Sequence, residues 1–419
     1  MKTLCAVLLA FMVTFAILSP PAQAIPAFGR KYGFNCSMCH TAYPKLNDFG
    51  QRVRDDGYQI PGQEGREENV FQSQLSLALR TTTGISLYRQ TGQTTAGFNL
   101  YGLDLLSAGV LHRNIGYLVI YPPRVDEPAA DYRGPLGGTN PSQPGTIESG
   151  SIVFSNIIPN ALNLRVGRFE PAYHGFSAPR SLYVMEPYEV YDYSPTGNEF
   201  VFGDNQIGLE ATGRFRNGFR YGLGVVNGNG GNPDNNLPKD FYLRLSQVLG
   251  GGEGQSAGQR IGVFAYQGWR SLGGPRATVA PTGENEGSGD KPFSKLGADL
   301  SLNWSTLNLE VLYLMGIEDK SLNFSDPTKR YSYSGGFAEL DWATLMNNRL
   351  VASGLYNWVR PTTLESAQKV DALSVLLRYY LGDWTAVNVA LHAEYTHRQT
   401  GTDNPTSEDL FTALVDFGF

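Results

Sequence analysis

Two thiols, Cys36 and Cys39, stand three positions apart, and an imidazole, His40, follows at once. Thiols at this spacing can add to the two vinyl groups of a haem as thioethers while the histidine takes one axial position on the iron. The run Phe34-Asn35-Cys36-Ser37-Met38-Cys39-His40 therefore reads as a c-type haem attachment site. A redox dithiol, a structural disulfide and half of a zinc site use the same cysteine spacing. A zinc half-site needs a second pair of ligands, and no further Cys or His occurs between His40 and His112. The main remaining alternative is a redox dithiol.

Such a site needs an exported setting and walls around the cofactor. Met1-Lys2-Thr3, an apolar segment from Leu4 to Leu18 and the close Ser19-Pro20-Pro21-Ala22-Gln23-Ala24 read as a secretory signal over 1–24, cleaved to leave Ile25 first. Cys5 falls in the removed part, so Cys36 and Cys39 are the cysteines of the mature chain. Residues 25–69 read as a short haem unit and linker. Leu46, Phe49 and Val53 fall on one face of a helix that Pro44 would start and Gly57 would stop, and that face would pack on the porphyrin. A unit this small cannot enclose a haem alone. The missing walls must come from the rest of the chain. The polar stretch Gln59 to Asn69 reads as the linker.

The remainder, 70–419, reads as strands. The chain has 49 Gly, 23 Tyr and 22 Phe among 419 residues with 17% charged, and no apolar run after the signal is long enough for a membrane helix. At the end of the chain Phe411, Ala413, Val415, Phe417 and Phe419 alternate with Thr412, Leu414, Asp416 and Gly418. Leu296 to Trp304, Leu307 to Met315 and Val387 to Tyr395 alternate in the same way, apolar residues for lipid and polar ones for a lumen. About 16 such segments run from one near 70–80 to one near 408–419. Long links at 81–94, 122–145 and 170–204 alternate with short ones at 108–110, 158–160 and Asn217-Gly218, on to Gly382-Asp383-Trp384; the Gly-rich 250–258 is the weak member. The expected fold is all-β: an up-and-down transmembrane β-barrel of the bacterial outer membrane, both termini periplasmic, with the short α-helical N-terminal haem domain plugging or capping its lumen. Its surroundings are outer-membrane lipid, and a formal charge of -6 argues against a nucleic-acid partner.

Two loops stand out. Pro122 to Gly145 reads as an irregular exposed loop, whose Asp126, Glu127 and Asp131 have no assigned role. Glu170 to Asn205 carries His174, Met185 and several tyrosines between the fifth and sixth strands. Its aromatics either pack the loop against the barrel wall or close it over the haem. A low-spin haem takes a second strong ligand, usually Met or His. Met38 lies inside the attachment loop and is badly placed for it. The candidates are His174, which is preferred, Met185, His392, His112 and the amine of Ile25. Each histidine is otherwise accounted for as a polar lumen or rim residue.

The run Ala27-Phe28-Gly29-Arg30-Lys31-Tyr32-Gly33, the Cys36 to His40 motif, Tyr43-Pro44-x-Leu46-x-x-Phe49-Gly50 and Gly57-Tyr58 resemble the N-terminal domain of the fused monohaem cytochrome-porins of the bacterial outer membrane. Beyond Tyr58 only the architecture agrees. The Fe(II)-oxidising relatives have one more residue between the haem histidine and the aromatic-Pro pair, and Ala where this chain has Met38. The resemblance implies one covalent haem c on Cys36, Cys39 and His40, with Tyr43, Leu46 and Phe49 against it. It further implies single-electron transfer between an extracellular donor or acceptor, such as Fe(II) or another metal, and a periplasmic cytochrome or other carrier. Two other readings stand beside it: a transport porin with a haem-containing plug or redox sensor, and a haem peroxidase-like enzyme.

Overall fold

A strand that crosses lipid must find all its hydrogen-bond partners in neighbouring strands, and only a closed barrel leaves no strand at an edge. The computed structural model describes residues 27–66, 69–70, 76–90, 92–123, 147–185, 187–195, 198, 200–232, 234, 236–249, 259–272, 289–304, 306–323, 326, 328–381, 389–402 and 404–418. The expected signal over 1–24, Ile25, the loop acids Asp126, Glu127 and Asp131, the Gly-rich 250–258, the turn Gly382-Asp383-Trp384 and Phe419 lie outside these residues. Sixteen antiparallel strands, from Leu77–Gln90 to Thr406–Gly418, pair in chain order, and the last pairs with the first to close the cylinder.

Each expected strand is present, with shifted ends. The largest shift comes first. The opening strand runs Leu77–Gln90 rather than 70–80, so the expected long link at 81–94 is strand on both sides of a tight turn at Gly92, where φ is +82°. Ile85 and Leu87 point outward there, while Thr82 and Ser86 point inward. So many threonines and serines hide the alternation. The next turn lies at Arg113-Asn114 rather than at 108–110, after the long strand Gln93–His112.

The two faces divide as expected. Leu296, Tyr313, Tyr395 and Phe411 are exposed on the outside, whereas Asp299, Glu310, Glu394 and Thr412 are buried inside. The core of the molecule therefore sits in the lumen, where the segment Glu170–Asn205 folds inward. Tyr173 stands at ring-centroid distances of 4.6 Å from Phe202 and 4.9 Å from Tyr242, and Tyr188 stacks on Phe337 at 3.9 Å. These buried phenols keep partners: Tyr242 donates to Glu210 at 2.6 Å and Tyr188 to Glu339 at 2.8 Å. The aromatics of this loop pack on the wall, as one of the two expectations has it, and Tyr183 and Met185 of the loop also line the cavity described below.

Residues 27–60 form a plug between this loop and the wall. It comprises helix Ala27–Tyr32, a single turn over Cys36–Met38, a ribbon pairing His40–Ala42 with Lys45–Leu46, and helix Asp48–Asp55. The second helix starts at Asp48, capped by Asn47, and not at Pro44, which lies in the turn of the ribbon. Gly57 follows the helix with φ +70°, as expected of its stop. Gln59 and Ile60, expected in a linker, are buried, and the Gln59 amide donates to the hydroxyl of Ser155 on the wall. A side chain on Gly116 would place its Cβ 2.0 Å from the Gly57 carbonyl oxygen. Plug and wall backbones thus meet directly.

Candidate cofactor site

The turn over Cys36–Met38 closes with the Cys39 amide donating to the Cys36 carbonyl at 3.1 Å. One side chain fixes it to the following helix: the Asn47 amide donates to the carbonyls of Ser37 and Met38, both at 3.1 Å, while its oxygen caps Gly50 N–H at 3.0 Å. Helix and motif approach so closely that a Cβ on Gly50 would lie 2.2 Å from the Cys39 carbonyl oxygen. Only glycine fits there.

His40 donates from Nδ1 to the Pro44 carbonyl at 3.0 Å, which places the lone pair of the neutral ring on Nε2. Burial, aided by Arg180 and Arg80 and opposed by the carbonyls of Pro44 and Lys45, lowers this imidazole to about 4. It is neutral at pH 7. A metal-binding histidine is oriented by the same kind of second hydrogen bond. Burial, with Cys36 beside it, pushes the Cys39 thiol up to about 11. Redox dithiols are activated by the opposite shift.

Cys36, Cys39, His40, Tyr43 and Leu46 open together onto a cavity of about 450 Å³, within the roughly 300–1,000 Å³ typical of small-molecule and cofactor sites. Val53 and Tyr58 complete the plug side, Leu106, Ile120, Val153 and Phe169 come from the barrel strands, and Tyr183 and Met185 from the inward loop. The walls that a short N-terminal unit lacks are supplied by the barrel. Phe49 does not line the cavity, because the later helix start turns Gly50 and Val53 toward it.

Arg54, Arg80, Arg165 and Arg180 also line the cavity. Arg80 holds Asp416 of the last strand through Nε and Nη2 at 3.3 and 3.2 Å, and Asp416 also takes Arg378. Arg54 pairs at 3.1 Å with Glu170, which Arg180 also contacts. Burial works against the charge of Glu170, but Arg180 and Arg54 outweigh it and hold the carboxyl down to about 2.

The sequence candidates for a second axial ligand separate clearly. His174 is buried outside this cavity, beside a smaller one of about 100 Å³; its Nε2 meets the Phe202 carbonyl at 2.5 Å, and its Nδ1 lies 3.9 Å from Glu170. His392 is buried against Glu394 at 2.9 Å, and neither it nor His112 lines the cavity. Met185 does. Its amide and that of Val184 donate to Glu394 at 3.3 and 3.0 Å. Arg80, Arg180, Glu148 and Phe169 escaped notice in the sequence because no spacing links them to the motif. Barrel closure brings them to it.

No protein-family model matches this chain, and no curated protein does. Solved structures do. The chain is similar to the anion-selective porin from Comamonas acidovorans, with a TM-score of 0.55 at 11% identity over 82% of this chain and 99% of that one. It is similar to OprB of Pseudomonas putida, with 0.55 at 12% over 91% and 99%. It is also similar to the outer membrane channel DcaP of Acinetobacter baumannii, with 0.53 at 9% over 82% and 97%. Identities this low speak to the fold: a porin-type closed barrel of 16 strands.

Proposed function

We propose that this chain is an outer-membrane electron-transfer protein, of the fused cytochrome-porin kind its N-terminal motif resembles. One haem c joined to Cys36 and Cys39 and ligated by His40 serves between an extracellular donor or acceptor and a periplasmic carrier. The observation that carries the reading is that Cys36, Cys39 and a His40 whose Nδ1 is taken by the Pro44 carbonyl line one largely apolar cavity walled by plug, barrel and loop. That donor set and those walls fit a covalently attached haem. When bound, a haem supplies reversible one-electron exchange at iron. Asn47 and Gly50 hold the attachment turn in place, the apolar walls exclude water, and the arginines of the cavity would surround a bound haem with positive charge. Among the described residues, Met185 is the one other sulfur or imidazole side chain on the cavity wall, and it would be the residue to give the iron a second ligand.

The fold likeness on its own favours the other reading, a transport porin whose plug carries the haem as a gate or sensor. Against an open pore stand the buried aromatics of the lumen, including Tyr173, Phe202 and Tyr188, each at most 1% exposed. One experiment separates the two. The purified protein is placed in liposomes, and electron flow from a membrane-impermeant external reductant to an enclosed acceptor is measured beside solute uptake, with Cys36→Ala/Cys39→Ala as the blank. Electron transfer predicts flow that the blank lacks and no solute uptake. Uptake that follows the haem redox state, without electron flow, supports the porin reading instead.

A further inference from the structure

The cavity wall holds a glutamate that the site described above does not use. Glu148 precedes the strand Ser149–Ile158, lines the cavity and is 6% exposed. Its backbone is tied on both sides, its N–H donating to the Ile120 carbonyl at 3.0 Å and its own carbonyl accepting from the Asn205 amide at 2.9 Å. Its carboxyl group makes no hydrogen bond or ion pair among the described residues. A carboxylate so buried is ordinarily paired.

Its neighbours explain why it is not. Arg168, on strand Leu162–Phe169, donates to the Ile147 carbonyl at 2.6 Å instead, and Arg180, in the inward loop, is committed to Glu170 and Ser177. Asp104, on strand Gln93–His112, and Glu170 face it as like charges. The adjoining strand Ile115–Tyr121 brings no acidic or basic side chain. Burial is the largest influence and pushes the Glu148 carboxyl up to about 7, with Asp104 and Glu170 adding to the rise and Arg180 and Arg168 opposing it.

We propose that Glu148 takes up a proton when the haem in this cavity is reduced and releases it on reoxidation. The inference rests on the haem reading given under Proposed function. One electron converts Fe(III) to Fe(II) and removes one positive charge from the cavity; one proton from bulk water converts the Glu148 carboxylate to the acid. The electron comes from the external donor, or from the electrode in a titration. The less positive cavity favours the neutral acid, so proton uptake accompanies reduction and the midpoint potential falls as pH rises.

Spectroelectrochemical titration of the haem-loaded protein across the neutral range tests this. The wild type is expected to lose up to about 59 mV for each tenfold fall in proton activity, and Glu148→Gln to give a flat line there. Infrared difference spectra of the wild type, which need no variant, are expected to gain a protonated-carboxyl band on reduction. Glu148→Gln lacks that band. A haem protein whose slope persists in Glu148→Gln, or whose wild type shows no such band, overturns the proposal and leaves the haem reading standing. A purified barrel with no covalent haem in a denaturing gel overturns both.

Discussion

Replacing Lys45 with methionine is expected to loosen the docking of the plug by a single change. Its Nζ lies 3.0 Å from Glu310, 3.1 Å from Glu339 and 2.5 Å from Asp341, inside the barrel and 294 residues away along the chain from Glu339. Burial alone would pull the ammonium down, but Asp341, Glu310 and Glu339 overcome it and hold Lys45 well above its ordinary value, so the lysine stays charged throughout the neutral range. Removing one partner of a buried pair costs about 3–5 kcal/mol, because the charge left behind is uncompensated. At about 1.4 kcal/mol per factor of ten, Lys45→Met raises the undocked fraction on the order of a hundredfold or more. Helix Asp48–Asp55 is too short to persist once undocked. Its amide hydrogen exchange reads the change, and the rate is expected to rise by the same factor. The quadruple change Lys45→Met, Glu310→Gln, Glu339→Gln, Asp341→Asn is expected to restore most of the protection, since the orphaned charges go with their partner. Unaltered exchange in Lys45→Met would refute the account of docking.

Two further outcomes follow from the cavity. His174→Ala is expected to leave the absorption spectrum of the haem-loaded protein unchanged, whereas Met185→Ala converts a low-spin spectrum to high-spin; the reverse pattern would move the second ligand to His174. Glu170 is held from 4.5 down to about 2, and at about 1.4 kcal/mol per unit its pairing with Arg180 and Arg54 contributes roughly 3.5 kcal/mol at most. Because the folded value is depressed, that contribution is complete above about pH 4.5 and is lost as pH falls through about 2. Glu170→Gln therefore melts below the wild type at neutral pH and together with it near pH 2. A gap that persists in acid would refute the ion-pair account.

The barrel was legible because lipid outside and charge inside impose a period of two on each strand. Phe411 and Thr412, or Tyr395 and Glu394, announce their faces by chemistry alone. The reading slipped where that contrast fades, along Thr81 to Gln93, where threonine and serine serve on both faces. The turn from Cys36 to His40 was legible as a local unit because its residues are neighbours in sequence. Phe49 was misplaced for a local reason, since Asn47 captures Gly50 N–H and starts the helix later than Pro44 indicated. His174 and Met185 looked equivalent in one loop. Their difference depends on Phe202 and Glu394, which engage them from distant parts of the chain.

The pairing of Arg80 with Asp416 joins the first barrel strand to the last across the seam where the cylinder closes. Arg80 also lines the cavity in front of His40. Sealing the barrel and finishing the cavity are therefore a single event in the assembly of the molecule. On the haem reading proposed above, attachment to the plug would come before the strand that carries Asp416 completes this wall.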